Sequence, residues 1–210
     1  RRREPPRPTR SKSSPSVPST PKNAASPPRV DWSRRSRRRR SPLPGPSALR
    51  YPRASDPDAS LPGNDRPIET GKGVSLRDGS DLAFVAYGSM VPVALDAARR
   101  LQAAGLDAAV FNARFVRPLD GAAVERLARR VPLVITLEEH SVSGGFGEVV
   151  LRHLAGLSEP VRAVVRVLGV PDRLVPHGER SDWLARFGLC AEALCGYAVR
   201  ECEAARTHRR

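Results

Sequence analysis

The side chains best suited to chemistry fall in one short stretch. Glu138, Glu139 and His140 are followed, after Ser141, Val142 and Ser143, by Gly144-Gly145-Phe146-Gly147, and then by an apolar pattern of helical spacing through Val149, Val150 and Leu154. Two carboxylates and an imidazole could exchange protons with a substrate. A glycine turn into a helix could cradle a phosphate, because backbone N–H groups can approach an anion at the positive helix end. Each idea has a plainer counterpart. The turn has neither the Lys-Ser/Thr of a P-loop nor the spacing of a dinucleotide fingerprint, which favours glycines that let a helix sit tightly on a strand. Neighbouring side chains on a strand point to opposite faces, so Glu138 and Glu139 are not expected to work as a pair unless the chain bends there. Structural or interface roles for Glu138, Glu139, His140, Gly144, Gly145, Phe146 and Gly147 are therefore favoured over catalytic ones.

The elements that position this stretch alternate. Leu82 to Tyr87 is a nearly continuous apolar run, as in a strand covered on both faces. Val91, Ala94, Leu95, Ala98 and Leu101 then recur at helical spacing over 91–104, closed by Gly105. A strand is expected at about Ala108 to Phe115, then a turn at Pro118-Leu119-Asp120, with Asp120 as N-cap of a helix carrying Val124, Leu127 and Ala128. Leu133 to Leu137 and about Val161 to Val167 are further strands, with Glu138, Glu139 and His140 leaving the first of them at its C-terminal end. Two closing helices are expected over 181–187 and 191–205, the second amphipathic through Leu194, Cys195, Ala198 and Cys202. Strands separated by helices call for a parallel sheet. The fold class is thus α/β: a three-layer sandwich with a mainly parallel sheet, preceded by a disordered basic tail.

That tail accounts for the charge. Of 36 Lys and Arg and 22 Asp and Glu, residues 1–53 hold 16 and 2, an excess of 16 − 2 = +14; the rest holds 36 − 16 = 20 basic and 22 − 2 = 20 acidic residues and is formally neutral. Residues 1–46, rich in Arg, Pro and Ser, lack the apolar side chains that would offset the entropy of ordering. Arg34 to Arg40 could neutralise phosphates of a nucleic acid or serve as an address, but no aromatic interleaving or recognition module accompanies the run, and a solvated tail is favoured. Residues 47–79 are expected to be a linker and the remnant of a preceding domain, and residues 80–205 the folded domain. Cys190, Cys195 and Cys202 show neither a CxxC pair nor a nearby His cluster, which fits a reducing, cytoplasmic setting and assigns them no metal or catalytic role. No stretch is long and apolar enough to span a bilayer.

Five segments carry a resemblance: Arg50-Tyr51-Pro52-Arg53; Ile68-Glu69-Thr70-Gly71-Lys72-Gly73; Ala86-Tyr87-Gly88-Ser89-Met90; Asn112-Ala113-Arg114-Phe115-Val116-Arg117-Pro118-Leu119-Asp120; and Leu168-Gly169-Val170-Pro171-Asp172-Arg173, with His177-Gly178 after it. From about residue 48 to 203 the chain resembles the C-terminal region of the 1-deoxy-D-xylulose-5-phosphate synthase family, within the thiamine-diphosphate-dependent transketolase superfamily. Residues 1–46 resemble nothing in that family. They stand where its pyrimidine-binding domain should be and look like the product of a frameshift or a mistaken exon; the opening Arg1 and the single methionine, Met90, suggest a fragment or a gene-model product in the same way.

The resemblance implies an enzyme that condenses pyruvate with D-glyceraldehyde 3-phosphate and releases CO2, feeding isoprenoid and thiamine synthesis, with thiamine diphosphate and Mg2+ as its cofactors. It also implies that neither cofactor binds this chain alone, since the Gly-Asp-Gly motif and the activating Glu belong to the two preceding domains. The C-terminal domain supplies packing and dimer surface, and the expected partners are a second copy in a homodimer or the missing catalytic domains. Arg53 maps onto an arginine that resembles a ligand of the substrate phosphate, here vestigial because Ala54 replaces the family's glycine and the rest of the pocket is absent. A guanidinium suits that task, since its planar donors can pair with two phosphate oxygens. A docking subunit of a split transketolase or a 2-oxoacid dehydrogenase-like enzyme, and a nucleic-acid binding module using the tail, are the alternatives. The strand end and glycine loop are expected to form part of the contact surface, so that Phe146→Glu would weaken self-association and leave the fold intact.

Overall fold

The computed structural model describes residues 68–207; the basic tail and Arg53 lie outside them. In chain order the elements are β1 (Val74–Arg77), β2 (Leu82–Ala86), α1 (Met90–Ala103), β3 (Ala108–Asn112), α2 (Gly121–Arg130), β4 (Leu133–Ser141), α3 (Phe146–Ala155), β5 (Val164–Val170), α4 (Arg180–Arg186) and α5 (Ala191–Thr207). The sheet order is β1-β3-β2-β4-β5. Strands β2 to β5 are parallel, and β1 runs antiparallel to β3.

The pleat explains the three layers. All five residues of β2 are buried, so the strand has no polar face to offer solvent. Leu82, Phe84 and Ala86 join Leu133, Ile135 and Leu137 of β4 on one face, where they meet α1 and α5. Ala83, Val85 and Val134 take the other face, against α2 and α3. On α1, Met90, Val91, Ala94, Ala97, Ala98 and Leu101 form the buried stripe, while α5 buries Leu194, Ala198 and Cys202 on the same side. The expected sandwich with a mainly parallel sheet is the fold observed. Cys202 is buried, and Cys190 and Cys195 are half-buried free thiols.

Local signals act where the sequence places them. Asp120 caps α2, its Oδ1 accepting from the Ala123 N–H at 3.2 Å. Its Oδ2 accepts from the Gly73 N–H at 3.0 Å and ties the segment before β1 to the start of α2. Arg129 and Arg130 occupy the last turn of that helix, where cations complement the dipole.

Three boundaries differ from the sequence reading. β3 ends at Asn112 rather than about Phe115, because the chain turns out of the strand: the Phe115 N–H bonds back to the Ala113 carbonyl and Arg114 takes a φ of 57°. β4 continues past Leu137 to Ser141, where it still pairs with Val170, so Glu138, Glu139 and His140 remain in the strand. The expected linker over 47–79 contains β1, which is drawn into the sheet because Leu76 packs on the α1 face and the Arg77 Nε donates to the Ala108 carbonyl at 2.9 Å.

Candidate functional site

In this topology β2 leads through α1 to β3 on one side, and β4 leads through α3 to β5 on the other. The strand order therefore reverses between β2 and β4, and the crevice beyond their C-terminal ends is where open α/β sheets receive ligands. The stretch singled out in the sequence lies there. So do Tyr87 and Ser89, to which the sequence assigns no place in a site.

Each carboxylate turns to its own side of the sheet. Glu138 follows the α3 face and is 1 % exposed; its two oxygens accept from the backbone N–H groups of Phe146 at 2.7 Å and Gly147 at 2.8 Å. These are the first donors of α3, whose N-cap Gly145 has no side chain to satisfy them. The anion at the positive end of this helix is thus one of the chain's own carboxylates. Glu148 completes the cap from inside the helix, its Oε2 accepting from the Gly144 N–H at 2.9 Å. The glycines give the close approach that this requires: a Cβ on Gly145 would lie 2.6 Å from the Glu138 Oε1, and one on Gly147 would lie 2.7 Å from the Thr136 Oγ1. The glycine loop works as a packing device, and its N–H groups are not free to cradle a phosphate.

Glu139 faces the α1 and α5 side. It accepts a hydrogen bond from the Ser89 hydroxyl, at the N-cap of α1, and a two-pronged one from the Arg180 guanidinium at the start of α4. Burial alone pushes the Glu139 carboxyl up, but the hydrogen bonds from Arg180 and Ser89 and the charge of Arg180 outweigh it and hold the group below the ordinary carboxylate value. The same contact pushes the Arg180 guanidinium further up. Because the folded value is depressed, this contact stabilises the fold above the ordinary carboxylate range, and the contribution is lost as pH falls through the folded value. Helix α4 has no fully buried residue, only the half-buried Trp183 and Leu184, so the tie is an anchor of its start beside the packing of Leu184 on the core. Acidification below about pH 4 is expected to change the fluorescence of Trp183, which lies in α4, measured in a Trp32→Phe background. Glu139→Gln should show that change already at neutral pH and flatten the acid transition; an unchanged signal would remove Glu139 as the anchor.

The residues of the stretch divide by burial. Gly145, Phe146 and Gly147 are buried with Glu138, and Phe146 stacks on Tyr87 with ring centroids 5.7 Å apart. Among the seven residues proposed for a contact surface, these four are corrected: they face the interior of the domain because Glu138 pulls the start of α3 down onto the strand. His140 and Gly144 are exposed, and Glu139 is half-buried. Glu138 and Glu139 are not brought together as a catalytic pair.

Thiamine diphosphate and Mg2+ would need a set of metal ligands and a free anion site. No group of three or more His, Cys, Asp and Glu among them could hold a metal ion. The helix end best placed for a diphosphate is filled by Glu138, and the Tyr87–Phe146 stack and the Glu139–Arg180 pair stand at the same end of the sheet. The described residues do not fit the cofactor. Nor is any helix among them long and apolar enough to cross a membrane.

Comparison with known proteins accounts for a domain built this way. The profile of the transketolase C-terminal domain matches residues 71–194. This chain belongs to the transketolase C-terminal domain family. It is 45% identical over 166 residues to the 1-deoxy-D-xylulose-5-phosphate synthase of Pelotomaculum thermopropionicum, a match covering 79% of this chain and 26% of that protein. It is 46% identical over 146 residues to the synthase of a Synechococcus strain, covering 69% and 22%. The chain thus spans about a quarter of the length of these curated relatives. Among solved structures it is similar to a split gene transketolase described as an inactive beta4 tetramer, at a TM-score of 0.60 and 34% identity, covering 69% of this chain and 45% of that one. Residues of the motifs that carry the resemblance do structural work in this chain: the Gly73 N–H donates to Asp120, and Ser89 joins α1 to Glu139.

Proposed function

We propose that this chain supplies the C-terminal domain of a 1-deoxy-D-xylulose-5-phosphate synthase, an enzyme that makes 1-deoxy-D-xylulose 5-phosphate and CO2 from pyruvate and D-glyceraldehyde 3-phosphate in the cytoplasm. Its role there is to pack against and orient the domains that hold thiamine diphosphate and Mg2+. The observation that supports this reading is what stands at the customary ligand position of a chain spanning about a quarter of the synthases' length: the helix end there is capped by the chain's own Glu138, with the Tyr87–Phe146 stack and the Glu139–Arg180 pair beside it. Arg53 is assigned here as a vestigial ligand of the substrate phosphate. Residues 1–46 and 47–79 are assigned as a tail and a connecting segment.

The purified chain, given thiamine diphosphate, Mg2+, pyruvate and glyceraldehyde 3-phosphate, is expected to form no deoxyxylulose phosphate. Co-expression with the N-terminal three quarters of a relative such as the Pelotomaculum synthase is expected to restore turnover. Product from the rigorously pure chain, or no turnover from a complex shown to assemble, would overturn the proposal. A second reading, that the domain is a separate docking subunit, is favoured by the likeness to a split gene transketolase; under it the co-expressed pair turns over as fast as a covalent fusion of the two parts, whereas under the first reading the fusion is the faster.

A further inference from the structure

We draw no further inference here: the strongest candidate, the exposed Leu174 and Val175 in the loop between β5 and α4, beside the stacked Trp183 and Phe187 with Arg173 over the Phe187 ring, carries nothing because nothing in the structure shows what covers it.

Discussion

Glu138→Ala is expected to lower the stability of the domain by about 3–5 kcal/mol, because it strips the partner from two buried donors at once. Each orphaned backbone N–H costs about 1–3 kcal/mol, and a bond to a charged acceptor is worth more than a neutral one. The Phe146 and Gly147 N–H groups lie under a helix end packed on the strand, where water has little room to replace the carboxylate. For a domain whose whole stability is on the order of 5–15 kcal/mol, this is a large share. Glu138→Gln should cost less, since its carbonyl can keep one of the two bonds while its amide meets the other donor with the wrong sign. Urea unfolding read by circular dichroism measures the loss, and hydrogen exchange should show the first amides of α3 opening before the rest. A loss under about 1 kcal/mol for Glu138→Ala would mean that the helix end is satisfied without Glu138.

The position of this carboxylate illustrates how far the chain can be read without coordinates. Strict alternation on a strand already separates Glu138 from Glu139 and rejects the catalytic pair, and the absence of phosphate-binding spacing already favours glycines used for packing. What the pattern did not supply was the partner of each group. A helix opening at Phe146 behind two glycines has no local side chain to cap it, and that deficit is a signal for a carboxylate from elsewhere; Glu138, eight residues earlier, answers it. Arg180 gives no such signal. It sits 41 residues from Glu139 in a helix with no fully buried residue, and the two meet only because β4 ends and α4 begins at the same rim of the sheet. β1 was missed for a related reason, since four residues with two apolar positions fall below any periodicity threshold. The interior was legible because β2, β4 and α1 bury long, regular apolar patterns; the rim depends on contacts that sequence spacing does not encode.

Phe146→Glu is expected to prevent the domain from folding, in place of the soluble surface variant that the loop sequence suggested. The ring is 1 % exposed, stacks on Tyr87 and belongs to the cluster that holds α2 and α3 against the sheet. Removing a buried phenyl group costs about 3–5 kcal/mol. The replacement then buries a second carboxylate beside Glu138, which already accepts from the N–H of residue 146 itself. An unpaired buried charge adds several kcal/mol, and together these terms rival the whole stability of a domain of this size. Leu151 supplies the control, because it lies on the same helix and is 39 % exposed; Leu151→Glu should change stability by no more than about 0.5 kcal/mol. Circular dichroism and thermal unfolding of the two variants separate the outcomes. If Phe146→Glu were recovered folded, with the parent's midpoint, the ring would have to lie outside the core that joins α2 and α3 to the sheet, and its stack on Tyr87 could not be what holds the start of α3.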